Sequence, residues 1–230
     1  MLDRRTLKAK MVRFGLRFLF GQMLLIFIPA GSFAFWQGWA YLQLNFILQF
    51  ALMIYFYRHD PQVLARRLLV REKNAGQKII IVLLRLVIIA VLVLAGLDYR
   101  FGWTRDRFFP VPVCLTVLAL LLIIASQHLF FRVLQANRFA ASIIQVETGQ
   151  TIAATGPYRL VRHPMYLGMS IHWLAVPLAL GSIVALAASI FIILVFILRL
   201  LDEERILRRD LPGYADYCRQ TRYRLVPFVW

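Results

Sequence analysis

Apolar residues along this chain come in blocks of about 20, long enough to cross a bilayer as helices, at about 14 to 35, 39 to 57, 79 to 97 and 111 to 134. Only Trp36-Gln37-Gly38 separates the first two, which predicts a tight antiparallel hairpin with the tryptophan at the interface. Asp60-Pro61 ends the second helix, because proline disfavours helical geometry in the residue before it. The block from Leu167 to Leu198 holds 32 residues, too many for one span and too few for two full ones at ~1.5 Å rise per residue. Arg159 and Arg162 precede it and Arg205, Arg208 and Arg209 follow it, so both flanks lie on one side. The block therefore predicts a hairpin of two short helices broken near Pro177 to Ser182, each arm tilted, stopping short of the far face or thinning the bilayer locally.

Composition agrees with the pattern. Hydrophobic residues make up 61% of the 230 positions and mean hydropathy is +0.70, above the roughly 45 to 50% apolar content of soluble domains. The expected fold is an all-α integral membrane protein of about five to six transmembrane helices, including the short hairpin near the C-terminus. The basic start (Arg4, Arg5, Lys8, Lys10, Arg13, Arg17) runs into an apolar segment that continues to Phe35, unlike a cleavable signal peptide, so this helix is expected to remain. With no linker, repeat or low-complexity segment, residues 1–230 read as a single domain: a four-helix scaffold over 1–134, then a polar, irregular region over 135–230 that holds the chemistry.

The formal net charge of +16 fits nucleic-acid binding on its face. Its distribution between apolar spans, with no nucleic-acid motif, points instead to the positive-inside rule and to anionic lipid headgroups. The partners expected are membrane lipids and no nucleic acid. Both termini are expected in the cytoplasm, together with the 58 to 78 loop, the 135 to 166 segment and the tail; the 98 to 110 loop faces out, although Arg100, Arg105 and Arg107 there are an exception to the rule. Cys114 and Cys218 make no disulfide framework or zinc spacing. His59, His128 and His172 stand apart from one another and from metal-ligand neighbours, so no metal is expected.

Two constellations carry candidate chemistry. Gly156 to Gly168, reading G-P-Y-R-L-V-R-H-P-M-Y-L-G, places two arginines, a histidine and two tyrosines between apolar segments. Ionisable groups beside hydrocarbon are costly unless paired, hydrated or bound to a ligand, so the cluster reads as a ligand site. Gly156-Pro157 breaks any arriving helix and His163-Pro164 starts the next, aiming free amides beside His163 in a way that favours a carboxylate or phosphate. The plainer alternative makes Arg159 and Arg162 membrane anchors and the tyrosines part of the interfacial belt. It leaves His163 and the glycine and proline placement unexplained. The second constellation, Arg199-Leu-Leu-Asp-Glu203-Glu204, puts Arg199 and Glu203 on one helical face, either as a weak surface pair or, at hydrocarbon depth, as a guanidinium poised for an acidic ligand. The tail, Leu211-Pro-Gly-Tyr-Ala-Asp-Tyr217 and then Thr221-Arg-Tyr-Arg-Leu-Val-Pro-Phe-Val-Trp230, reads equally as a lid over the first constellation or as a peripheral interfacial segment.

These motifs resemble the membrane-embedded isoprenylcysteine carboxyl methyltransferases and their bacterial relatives, which include phospholipid methyltransferases. The resemblance covers about residues 135 to 230: G-P-Y-R-x-V-R-H-P-M-Y-x-G, a hydrophobic hairpin, R-x-x-x-E-E, a Gly-Tyr-x-x-Tyr segment and R-x-R-L-x-P, in that order. It implies methyl transfer from S-adenosylmethionine to a lipophilic small molecule or prenylated substrate, foremost an isoprenylcysteine carboxylate, in a pocket open to the cytosol. Carried over by position, Tyr158, His163 and Tyr166 are cofactor contacts, Gln150, Thr151, Ile152 and Ala153 are a stretch that contacts the cofactor largely through backbone, and Gln145 is a looser match. Arg199 and Glu203 match the catalytic pair that holds the reacting end of the acceptor. The stretch Gln150 to Thr155 departs from relatives that carry a histidine or lysine there, which leaves the adenine side open. Compact size resembles a prokaryotic member in the plasma membrane, and the acceptor stays open among thiol, carboxylate and amine. A membrane reductase using NADPH, of the sterol reductase type, is the rival enzyme reading. A small transporter or assembly factor is the non-enzymatic one, and it predicts an intramembrane charge chain or broken helices related by repeat, whereas the charges here gather at one face. Oligomeric state is not legible.

Overall fold

In a computed structural model the structure describes residues 4–69, 75–139 and 150–230. Among them all regular structure is helical, and five helices are long and apolar enough to cross a membrane. These are α1 (Arg4–Ala30), α2 (Trp36–His59), α4 (Ala75–Phe101), α6 (Val113–Ala136) and α8 (Ile183–Asp210). Between them lie α3 (Pro61–Leu69), α5 (Trp103–Arg107), α7 (Pro164–Ala179) and α9 (Tyr214–Gln220), with a 3-10 turn at Gly156–Arg159.

The turns sit where backbone chemistry allows them. The first lies at Gly31 to Phe35 rather than at Trp36-Gln37-Gly38, because Gly31 adopts φ 63° and its amide donates to the Phe27 carbonyl at 3.0 Å, a left-handed helix stop that suits glycine. Trp39 closes this hairpin by packing its ring, tilted by 39°, against Phe27 at 4.5 Å and donating to the Phe33 carbonyl at 2.9 Å. Asp60 caps α2 as expected. Pro61 then opens α3, which the sequence reading left inside a loop; proline at a first helical position costs nothing, since its missing donor would be unpaired there anyway.

Across α1, α2, α4, α7 and α8 runs one apolar core containing Ile26, Tyr41, Leu92, Val176 and Phe196. Within it Gln22, Tyr41 and Asn45 bond to one another at 3.2 to 3.3 Å, satisfying polar groups that lipid cannot and tying α1 to α2. At Gly96 the helices α4 and α1 touch backbone to backbone: an added Cβ would lie 2.5 Å from the Ile26 carbonyl and 3.1 Å from the Ala30 amide. Neither neighbour is a flexible side chain, so Gly96→Ala is expected to cost about 1 to 3 kcal/mol through overpacking. Thermal melting in detergent checks this against Gly21→Ala, where nothing lies within 4 Å and alanine is expected to be neutral or stabilising.

The C-terminal hairpin forms, with unequal arms. Helix α7 has 16 residues, about 24 Å at 1.5 Å each, short of the ~30 Å hydrocarbon core. Helix α8 has 28, because it continues past its apolar part through Arg199 to Asp210. Gly181, at φ 71°, turns the chain between them, and Ser182 caps α8 by accepting the Ala185 amide at 3.0 Å. That tip is fastened to buried Asp98, which accepts the Thr104 amide at 2.7 Å and the hydroxyls of Thr104 and Ser182. Fixing the tip at Asp98 leaves the opposite ends of α7 and α8, with the two constellations, facing each other.

Candidate functional site

At that opposite end is a cavity of about 260 Å³. Four stretches distant in the sequence meet there: Gln150 to Ala153, the first constellation, α8 from Phe196 to Leu207, and Leu211 to Tyr217. Local structure aims each of them. Gly156, at φ 58°, follows Thr155 in extended backbone and starts the 3-10 turn, which buries Tyr158 and leaves Arg159 exposed. The Asn137 amide donates to the Tyr158 hydroxyl at 3.1 Å, and the Tyr217 hydroxyl donates to the Tyr158 carbonyl at 2.8 Å. Burial pushes the Tyr217 hydroxyl up to about 12 and the Tyr158 and Tyr214 hydroxyls upward as well. All three stay neutral phenols, fit to pack their faces on a planar ligand.

The two arginines of the first constellation separate here. Arg159 lies in solvent, whereas Arg162 and His163 are buried against Glu204, at 3.1 and 3.4 Å. Arg224 of the tail reaches the same carboxylate, donating to its second oxygen at 3.0 Å. Glu204 is 3% exposed, and desolvating such a carboxylate is tolerable only because two guanidinium groups and a histidine surround it. The tail is thereby fastened to the first constellation rather than being a loose interfacial segment. Its Tyr223 and Arg224 carbonyls accept the Arg162 and His163 amides at 2.9 Å each, and the Arg224 and Leu225 amides turn back onto the Trp230 carbonyl.

Facing this cluster is the second constellation. Glu203 accepts the Tyr166 hydroxyl at 2.7 Å, which ties α8 to α7, and Arg199 lines the cavity beside Tyr166. Asp202 turns away to accept from buried Gln77 of α4 and from Arg205, although it too is one turn from Arg199.

Of the sequence-predicted residues, Gln150, Thr151, Ile152, Ala153, Tyr158, His163, Tyr166, Arg199 and Glu203 all line this one cavity. Gln145 lies outside the described residues. Arg162, which the sequence reading placed in the first constellation, lines it too, as do Tyr214, Tyr217, Asn137 and Arg67, to which that reading gave no site role. The Gly-Tyr-x-x-Tyr spacing held the signal for the two tyrosines: Gly213, at φ 80°, sets Tyr214 and Tyr217 one helical turn apart on one face of α9. Asn137 and Arg67 carried no signal.

The Tyr214 hydroxyl is buried with no hydrogen-bond partner among the described residues, and a buried polar atom of that kind ordinarily finds a ligand or water. Two guanidinium groups against one Glu204 carboxylate leave an excess of positive charge for a second acidic group.

Comparison with known proteins bears on the same part of the chain. Residues 114–211, from α6 through the cavity to the end of α8, match the family model of the phospholipid methyltransferases. The chain is also similar to the Delta(14)-sterol reductase of Mus musculus, 30% identical over 95 residues, a stretch that is 38% of this chain and 22% of that protein. The chain thus spans about a fifth of the length of that curated relative.

Proposed function

We propose that this chain, whose residues 114–211 belong to the phospholipid methyltransferase family, is a membrane methyltransferase that moves a methyl group from S-adenosylmethionine to a lipophilic acceptor, foremost the carboxylate of an isoprenylcysteine-like molecule. The carrying observation is the convergence on one cavity of the Gln150 to Ala153 stretch, Tyr158, His163 and Tyr166, with Arg199 and Glu203 entering from α8. S-Adenosylmethionine, when bound, supplies a methyl group already activated on a sulfonium centre. The residues accordingly need to align and enclose rather than to attack, which is the larger part of catalysis for such a reaction.

His163, Arg162 and the first amides of α7 face where an amino acid carboxylate is favoured. Tyr158, Tyr214 and Tyr217 flank an adenine-sized face. Arg199 receives the acceptor carboxylate in a two-pronged hydrogen bond, while Glu203, held by Tyr166, limits where that guanidinium sits. The tail, latched through Glu204, excludes water. Leu84, Met169 and Phe196 give the cavity an apolar side that suits an acceptor entering from the bilayer. On this reading most of the chemistry sits in residues 135–230, the site faces the cytoplasm, and the earlier helices are scaffold apart from Arg67 and Leu84.

The similarity to a sterol reductase supports a second reading, reduction with NADPH. Cavity size favours the first: about 260 Å³ is at the small end of ligand pockets, which run ~300 to 1,000 Å³, and S-adenosylmethionine is far smaller than a dinucleotide. Calorimetric titration of the solubilised protein with S-adenosylmethionine, S-adenosylhomocysteine and NADPH separates them. Saturable binding of both adenosyl ligands is expected, weakened about tenfold or more in His163→Ala. Binding of NADPH alone moves the protein to the reductases.

A further inference from the structure

A second cavity, of about 440 Å³, lies at the other end of the bundle, where Asp98 fastens the tip of the C-terminal hairpin. Three turns close it: Ala30 and Ser32 after α1, residues between Tyr99 and Val111 that join α4 to α6, and Leu180 and Gly181 between α7 and α8. Every residue that lines it is described, and α1 and α4, of 27 residues each, set it about 40 Å from the helix starts at Arg4 and Ala75. Two guanidinium groups lie at its edge, each against a glycine. An added Cβ at Gly31, φ 63°, would lie 3.6 to 3.7 Å from Arg100 Cδ, Nε and Cζ, and one at Gly102, φ 69°, would lie 2.6 Å from Arg105 Nη2. Both turns favour glycine, and its bare Cα lets each arginine fold down onto the rim. Arg105 gives its Nε to Asp106 at 2.9 Å. Arg100 makes no hydrogen bond among the described residues and has the Phe101 ring, 5.5 Å away, as its described contact. Asp98 also lines the cavity, but its oxygens are turned to Thr104 and Ser182. From the α2 side comes Gln37, whose Oε1 is buried with no hydrogen-bond partner. Around this end Phe33, Trp36, Phe101, Phe108 and Phe109 are exposed, an aromatic belt of the kind that marks a membrane interface.

We infer that this second cavity is a binding site for a phosphate-bearing polyol headgroup, of the phosphoglycerol kind, with Arg100 and Arg105 on the phosphate and Gln37 accepting from a hydroxyl. Planar guanidinium forks match phosphate oxygens. A buried acceptor calls for a donor, which a glycerol hydroxyl supplies and a quaternary ammonium headgroup does not; the latter would also bring a cation up to two arginines. A bound anion gives a reason for arginines in the 98 to 110 loop, where the positive-inside pattern does not place them. Its occupant touches Leu180 and Gly181 as well as the loop, and so braces the turn from which α7 and α8 run to the catalytic cavity. The inference is independent of the methyltransferase reading.

The test is amide hydrogen exchange of the full chain in nanodiscs, read by mass spectrometry over residues 102 to 111 and 180 to 184. Three conditions are compared: phosphatidylcholine alone, phosphatidylcholine with a minor fraction of phosphatidylglycerol, and phosphatidylcholine with soluble glycerol 3-phosphate. Exchange in both segments of the unaltered protein is expected to slow about tenfold or more with phosphatidylglycerol. Equal slowing by glycerol 3-phosphate identifies a free phosphate ester as a sufficient ligand, and slowing by the lipid alone identifies the membrane headgroup; either supports the site. The slowing is expected to vanish when Arg100→Gln and Arg105→Gln are combined. It is expected to persist in Arg107→Gln, which removes one charge from an exposed residue that does not line the cavity. Gln37→Leu keeps both arginines and is expected to lose part of it. No slowing by either ligand in the unaltered protein, or slowing of equal size in the double variant, overturns the inference. Should the double variant fail to assemble, Arg100→Gln and Gln37→Leu decide singly, and undiminished slowing in both overturns it as well.

Discussion

Glu204→Ala is expected to unlatch the C-terminal tail and to cost about 3 to 5 kcal/mol, the usual penalty for removing one member of a buried ion cluster. The mechanism is the charge left behind. Arg162 and His163 are buried, and with Glu204 gone the Arg162 guanidinium has no opposing carboxylate among its described contacts and His163 loses its described polar partner. Arg224 loses its bond at 3.0 Å, which leaves the tail with its backbone hydrogen bonds from Arg162 and His163, the Thr221 hydroxyl on the Tyr158 carbonyl and the packing of Leu225 and Trp230 on the core. Limited proteolysis after about residue 220 should become fast and thermal melting should shift down. Affinity for S-adenosylhomocysteine should drop because Arg162 and His163, which line the cavity, lose the carboxylate that positions them. Glu204→Gln keeps the shape and loses the charge, so it is expected to fall between. Unchanged proteolysis in Glu204→Ala would mean the tail is held by something other than this cluster.

Arg199→Ala is expected to abolish methyl transfer, by at least about 10²- to 10³-fold, while leaving S-adenosylhomocysteine binding nearly intact. Loss of one preorganised charged contact at a reacting centre has that order of effect, and misplacement of an acceptor by about an ångström has a similar one. Arg199→Lys should recover little, because a compact ammonium cannot make the two-pronged bond of a guanidinium. His163→Ala should show the converse, weak cofactor binding first. The pair is read by titration and by transfer measured at saturating donor. Equal loss of both functions in both variants would show that the two constellations do not divide the work in this way.

Glu203 and Glu204 show how far the sequence alone reaches. As letters they are one motif, R-x-x-x-E-E, and helical spacing places Glu203 with Arg199. What sits opposite each residue is not in the spacing. Adjacent residues on a helix point about 100° apart, so Glu203 turns to Tyr166 and the cavity while Glu204 turns to Arg162, His163 and Arg224. Asp202 turns a third way, to Gln77 of α4. Three neighbouring acids thereby bind three different parts of the molecule. The same limit explains Arg159 and Arg162, equal by composition and opposite in burial.

The breaks that were legible were those written in backbone chemistry: Asp60-Pro61, Gly156-Pro157 and His163-Pro164 act on the residue that carries them. Span ends at 30 and 101 were shifted from the reading, because the basic residues Arg4 to Arg17 and the polar end of α4 continue helices whose apolar blocks are shorter. An apolar window locates a span but not its polar extensions. Helices α3, α5 and α9, of 9, 5 and 7 residues, are too short to show a period of their own, and their stability comes from packing.

The sequence by itself determined that the chain is a helical membrane protein, that its polar residues gather at the ends of its last spans, and which of its motifs resemble those of membrane methyltransferases. Those properties follow from transfer free energy and local backbone geometry, which act over a few residues at a time. Only the tertiary structure decided that the tail is a latch and that Arg162 and Glu204 form a buried cluster. It alone brought Arg67, more than 130 positions from Arg199, into the same cavity. Such pairings depend on how α3, α6, α7 and α8 pack, a set of long-range contacts that no local pattern encodes.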